Sequence, residues 1–355
     1  MPVKKESFDF LEELISAASP SGFEEEAVNV WSRRTKSFVD EVAVDVLGNA
    51  AAVLNKGGSP KIMLAGHIDE IGYMVKYIDE AGFIYFSAIG GIDPQLIPGQ
   101  RVLIKTGKNK VLGVIGKKPI HLLDDEERKK LPKIEELWID IGAKDRKEAR
   151  SRVGIGDPVV PAVGLDVLHD DIVTGRGFDD KAGAFVVSET LRLLSRERVK
   201  ASLYGVATVQ EELGLRGAKA SAYGISPDIG IAVDVTFAAD FPSMDKRKTG
   251  DITIGGGPVI ARGPNINPKV FDLLVEAAEK EKIPHQVEGI SKATGTDANV
   301  IQLNKAGVAT GLVSIPNRYM HTPVELISLK DLENTARLLC AFVSRLDRKT
   351  NILPR

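Results

Sequence analysis

The chain has 355 residues, 43% hydrophobic and 27% charged, with a net charge of -2. No apolar run approaches the about 20 residues of a membrane span, and no basic excess marks a nucleic-acid partner. A single cysteine, Cys340, excludes an internal disulfide framework, and "MPVKKESFDF" holds no apolar leader core, so the expected location is the cytoplasm. The length exceeds what one compact core needs and predicts two domains or one large one.

In chain order, "FDFLEELISAA" reads as a helix, and Ser21 with Glu24 three residues on predicts a capping box for a second helix. "VAVDVLGNAAAVLNKG" and "KIMLAGH" read as strands. From about Tyr73 the texture changes to short strands, "YMVKYI", "GFIYFSAI", "RVLIKTG" and "KVLGVIG", between glycines and prolines, interrupted by the charged "LLDDEERKKLPKIEE". That is the pattern of a small β-barrel or sandwich, and it ends near "DPVVPAVGLDVLHDDIVTGRG". After Asp179 helices and strands alternate: "KAGAFVVSETLRLLSRE", "ASLYGVATVQ", "GAKASAYG", "DIGIAVDVT", "PKVFDLLVEAAEKEK" and "VATGLVSI". The last helix carries Leu329, Leu332, Ala336, Leu339, Val343 and Leu346 at steps of three and four behind the cap pair Ser328 and Asp331, with Cys340 beside the stripe as a core position. The expected architecture is one α/β domain built from residues 1–71 and 165–355, with an all-β domain of residues 72–164 inserted between its halves.

Within the α/β part, apolar strands end on groups that bind metals. "KIMLAGHID" ends on His67 and Asp69, "VATVQEELG" on Glu211 and Glu212, "IAVDVT" offers Asp234, "RGFDDKAG" puts Asp179 and Asp180 before a helix, and "NRYMHTP" offers His321. The carboxyl ends of strands in an open α/β sheet line one crevice, so these residues can converge. Two imidazoles and several carboxylates suit zinc, with cobalt or manganese able to substitute. In a two-metal site bridged by Asp179, with Glu212 and Asp234 as terminal ligands, two divalent ions against three carboxylates leave one positive charge, which a hydroxide neutralises. Each ion then takes one histidine, His67 or His321. Neighbouring residues in an extended chain point apart, so Glu211 is free to face the water as general base. Asp69, two residues past His67, can hold the ring nitrogen that faces away from the metal.

Plainer readings exist for each residue taken alone. A lone histidine is commonly structural, paired glutamates commonly form a solvated helix face, and Asp180 before a helix can be an N-cap. His121, His169 and His285 stand in charged or loop contexts and are assigned no role. The joint pattern of five ligands at strand ends of one domain favours a metallohydrolase.

The ordered motifs "HID", "FDD", "QEELG", "VDVT" and "YMHTP", together with "SPSGFEE", "DVLGN", "AIGGIDPQ", "IDIGA", "GIGDPV" and "GTDAN", resemble the dinuclear metallo-aminopeptidases of the tetrahedral, or TET, type across essentially the whole chain. That family includes glutamyl, leucyl and deblocking aminopeptidases, and some members carry an older endoglucanase label. The resemblance implies a zinc-exopeptidase-like α/β/α sandwich with a mixed central sheet, plus the inserted barrel-like domain. It implies His67, Asp179, Glu212, Asp234 and His321 as metal ligands for two divalent ions, Glu211 as base and Asp69 as the partner of His67. It also implies peptide substrates and a homododecamer in which the β domain pairs subunits. Thr296 and Asp297, in "GTDAN", would lie beside the substrate pocket, or else cap a helix. Two other readings stay open: a glycoside hydrolase using the paired acids, which leaves the histidines unexplained, and a peptide-binding or assembly protein without catalysis.

Overall fold

The apolar runs that end on acids and histidines become neighbouring strands. In the computed structural model, which describes residues 3–107 and 109–354, Ser202–Thr208, Lys61–His67, Ile229–Phe237 and Ala309–Asn317 pair in parallel in that order. Helices lie on both faces, so these strands are apolar at nearly every position rather than alternately: all of Lys61–His67 beyond Lys61 is buried. Antiparallel strands flank them, Ala50–Leu54 and then Glu41–Val44 on one side, and Val259–Arg262 on the other with Gln286–Gly289 outermost, giving a mixed eight-stranded sheet.

Helices Phe178–Leu194, Pro268–Lys280 and Leu329–Arg345 pack on one face, with Lys5–Ser16 and Glu25–Thr35 against the first of them; Arg216–Ile225 and Ala298–Ile301 cover the other face. Strand and helix backbones approach closely at Gly66, where an added Cβ would lie 2.5 Å from the Gly183 carbonyl carbon and 2.6 Å from the Ala184 nitrogen. This contact holds the strand that ends in His67 against the helix whose first turn carries Asp179.

Residues 72–161 form a closed antiparallel barrel, in the order Gly72–Ile78, Ile84–Ile89, Trp138–Asp140, Lys110–Gly116, Arg101–Lys105 and Pro158–Pro161, with Tyr73 opposite Val159 closing the ring. Its strands alternate as a one-sided sheet should: Val111, Gly113 and Ile115 are interior, and Leu112 and Val114 face out. A third, three-stranded sheet of Asp166–His169, Ile172–Gly175 and Glu325–Ser328 sets Glu325 opposite Gly175, beside the entry to the central helix.

Three local expectations give way. The run "VAVDVLGNAAAVLNKG" is a hairpin, Glu41–Val44 and Ala50–Leu54, because the Asp45 carboxylate accepts from the N–H groups of Leu47, Gly48 and Asn49 and turns the chain. The Ser21–Glu24 capping box does not form. Ser21 Oγ donates instead to Asp69 Oδ2 at 2.6 Å, and Glu24 accepts from the Gly22 and Gln210 N–H groups. For Ser21 a buried carboxylate is a stronger partner than an exposed helix N–H. At the last helix Ser328 does cap the Lys330 and Asp331 N–H groups, but the Asp331 carboxylate turns to Gly255 and Gly257.

Replacing Gly66 with alanine is expected to force strand and helix apart and to lower the unfolding free energy by about 1–3 kcal/mol, measured as a shift in the denaturant midpoint at unchanged slope.

Candidate metal centre

Register decides which side chains meet. Thr208 lies level with His67 across the parallel pair, so the turn carrying Glu211 and Glu212 begins where the neighbouring strand ends. Asp234 stands near the end of the next strand, and Asp179 and Asp180 precede the regular part of the central helix, with a cis peptide between them. His321 stands in the turn after Asn317, with a φ of 62°.

Asp179 is at the centre. Its Oδ1 lies 3.0 Å from His67 Nε2 and its Oδ2 3.1 Å from His321 Nε2. His321 Nε2 is also 3.1 Å from Glu212 Oε1, and His67 Nε2 is 3.8 Å from Glu211 Oε2. Donor atoms of His67, Asp179 and Glu212 lie within 4.8 Å of one another, and so do those of His67, Glu211 and Asp234. Ligands about 2.1 Å from a tetrahedral ion stand roughly 3.4 Å apart, so small adjustments of these side chains enclose one. Glu211, expected only as a base, thus stands within ligand range as well.

The electrostatics fit a cation. Burial raises Glu211 to about 10, opposed by His67 and reinforced by the charges of Asp234, Asp297 and Asp179. Burial likewise holds Asp234 well above the carboxylate range, with His67 opposing and Asp179 adding to it. For His67, burial disfavours the charged ring, but Glu211, Asp179 and Asp69 outweigh it and raise the imidazole. His321 rises to about 11 because Asp179 and Glu212 overcome burial. Burial pushes Asp179 up, yet the two imidazoles hold it below its usual range. Glu211 Oε1 is buried with no partner. More carboxylates crowd here than two imidazolium rings can neutralise, a charge balance that a bound metal cation would restore.

Backbone hydrogen bonds set this cluster. Asp69 does more than face His67 Nδ1, 3.4 Å from its Oδ1: its carboxylate also accepts from the Glu211 and Glu212 N–H groups at 3.0 and 3.2 Å. Asp180 accepts from Gly183 N–H, a capping contact, and from His67 N–H at 3.0 Å. Glu325, which the sequence reading passed over, accepts from the Asp179 N–H at 2.9 Å and the His321 N–H at 3.1 Å and is fully buried. Its only signal was an acid four residues after His321 at the head of the apolar run "ELISL". The barrel also reaches in, since the Gly91 carbonyl accepts from His321 Nδ1 at 2.8 Å. Asp297 is buried, its Oδ2 accepts from Thr208 Oγ1 at 2.6 Å, and it makes no side-chain cap to the helix it precedes. Thr296 donates to Thr294.

A profile of the M42 glutamyl aminopeptidase family matches residues 48–338. The chain belongs to that family. It is 39% identical to the lysyl aminopeptidase of Pyrococcus furiosus over 96% of this chain and 97% of that protein. Among solved structures it is similar to a TET aminopeptidase from a marine-sediment Thaumarchaeota archaeon, with 36% identity, a TM-score of 0.93 and 97% of each chain covered. It is similar as well to the TET1 peptidase of Pyrococcus horikoshii, which can assemble into a tetrahedron or a large octahedral shell, at 31% identity and a TM-score of 0.86, covering 96% of this chain and 100% of that one. Membership makes the chain an aminopeptidase, and the M42 fold accounts for the mixed sheet with its inserted barrel. Among the described residues no helix is long and apolar enough to cross a membrane.

In this M42 chain Glu325→Ala leaves the histidines and the candidate ligand acids in place but frees two backbone N–H groups. Metal affinity is expected to fall about 10–100-fold, read by competition with a fluorescent chelator.

Proposed function

We propose that the chain hydrolyses the amino-terminal residue from peptides with two divalent ions, one held by His67 and Asp234, the other by His321 and Glu212, with Asp179 shared between them. The observation that carries this reading is the Asp179 carboxylate, which turns one oxygen to each histidine. Zinc suits this donor set, and cobalt or manganese fits it too. Such ions supply Lewis acidity toward a carbonyl and lower the pKa of water.

The chain's own residues do the rest. Glu211, beside His67 and with a free buried oxygen, would lose its proton once bound cations offset the burial that raises it, and as the carboxylate takes the proton from the attacking water and passes it to the departing nitrogen. Asp69 fixes the Glu211 and Glu212 backbone and the His67 ring, so the base and two ligands keep one geometry. Thr296 and Asp297 stand in the loop that would flank the substrate. We assign residues 1–71 and 165–355 to the catalytic unit and 72–164 to the inserted unit, whose exposed Leu112, Val114, Ile120 and Leu122 offer an apolar surface for subunit pairing. By likeness to the Pyrococcus horikoshii assembly, dimers of this chain build a larger shell, of which a dodecamer is one form. A glycosidase needs no histidine against its acids, so the contacts of Asp179 speak for the peptidase.

Glu211→Gln is expected to lose at least about 100-fold in turnover while keeping its metal, and Asp179→Asn to lose metal and activity together. Release of free amino acid from unblocked peptides, before and after chelation and metal restoration, is the assay. Full activity in Glu211→Gln, or release indifferent to chelation, refutes the respective part of the mechanism.

A further inference from the structure

One carboxylate on the catalytic face has no part in this mechanism. Asp234 and Thr236 lie two apart in Ile229–Phe237 and so share a face. Asp234 is level with Ser314, Ser314 with Val259, and Ala261, two beyond Val259, with Glu288. The face bearing Asp234 therefore runs across the sheet to Glu288 on the outermost strand. On that face the Glu288 side chain accepts a hydrogen bond from Thr236 Oγ1 at 2.9 Å. Its carboxylate is thus fastened two residues along from Asp234.

Glu288 is half-buried, burial raises its carboxyl, and the Thr236 hydroxyl opposes that. No lysine or arginine among the described residues makes an ion pair with it. Arg318 is committed to Asp240, and Arg262 lies over the Phe271 ring. The loop that follows leads from Glu288 to Asp297, whose charge is felt at both Asp234 and Glu211. Along it Asn265 Nδ2 donates to Thr294, while Asn265 Oδ1 and Asp297 Oδ1 are buried with no partner. A partly buried carboxylate without a counter-ion gains most from a ligand that brings one.

Resting on the aminopeptidase reading, we infer that Glu288, held by Thr236, forms the far wall of the pocket for the side chain of the substrate's first residue, and that this pocket selects a cationic side chain, lysine or arginine. A neutral side chain of equal length leaves the carboxylate unpaired and is discriminated against.

Norleucine is lysine without its ammonium group, so the test compares one peptide headed by lysine, norleucine or glutamate, with calorimetric binding of free L-lysine and L-norleucine to the metal-loaded enzyme alongside. The expected kcat/KM for the lysine peptide exceeds that for norleucine by about tenfold or more. Glu288→Gln is expected to bring the two within about twofold, chiefly by losing the lysine peptide, with the same convergence in binding. Glu288→Lys is expected to turn the preference to glutamate. A lysine-to-norleucine ratio that does not move in Glu288→Gln, or an equal loss on all three peptides, overturns the inference and leaves the aminopeptidase reading standing. No amino-terminal release from any peptide by the unmodified enzyme overturns both.

Discussion

The structure is organised around a concentration of buried carboxyl groups. Asp69, Asp179, Asp180, Glu211, Asp234, Asp297 and Glu325 are all nearly inaccessible to water, the last of them on the three-stranded sheet and bonded to the Asp179 and His321 N–H groups. Isolated carboxylates cannot be buried in this way, because the lost hydration is worth several kcal/mol per ion. The fold resolves the conflict in two ways. Asp69, Asp180 and Glu325 are satisfied by backbone N–H groups and in return fix the loops they hold. Asp179, Glu211, Glu212 and Asp234 turn instead toward one another and the two imidazoles, the arrangement that a divalent cation stabilises.

Positioning those acids requires the barrel to leave and rejoin the α/β layer at the site itself. The strand ending in His67 runs into the barrel within five residues, at Gly72, and the chain re-enters the α/β layer at Gly175, four residues before Asp179. Exit and re-entry are tied by Glu70, which pairs with Arg176 and with Lys181 in the dry interior. Burial would raise Glu70, but the two cations hold it down to about 2, while burial lowers Lys181 to about 8 against the pull of Glu70. Removing one member of such a cluster strands the others, which is why its weight is geometric as much as energetic. With that joint fixed, the barrel can present Gly91 to His321, and an insertion becomes part of the centre.

What was legible in the sequence follows from range. Strands buried on both faces announce themselves as apolar runs, and a polar residue at or just past the end of such a run has few places to point; the nearness of His67 to Glu212 and to Asp234 could be expected for that reason. The final helix was visible because its stripe and its Ser328 cap are local. Trp138–Asp140 and Pro158–Pro161 were too short to show alternation, yet they close the barrel. Glu325, Glu24 and Gly91 were hidden because their partners lie far along the chain or on backbone atoms, which carry no residue identity. Ser21 and Glu24 mimic a capping box in one dimension; only the fold brings Asp69 and the Gln210 N–H close enough to win the competition.

The adjacency of Glu211 and Glu212 has a physical answer in the turn that carries them. The strand ends at Thr208, and Gln210 takes a left-handed φ of 55°, its N–H held by Glu24. A single carboxylate, Asp69, then receives the next two N–H groups on its two oxygens, Glu211 on Oδ1 and Glu212 on Oδ2. Two successive residues anchored from one side send their side chains apart, and here one goes to His67 and the other to His321. Spacing the acids further along the chain would need a second anchor and a second buried carboxylate, in a region where Glu211 Oε1 and Asp297 Oδ1 already lack a partner. Paired glutamates just past a buried strand are therefore a direct way to reach both histidines from one fixed turn, and Asp69 is the residue on which that turn hangs.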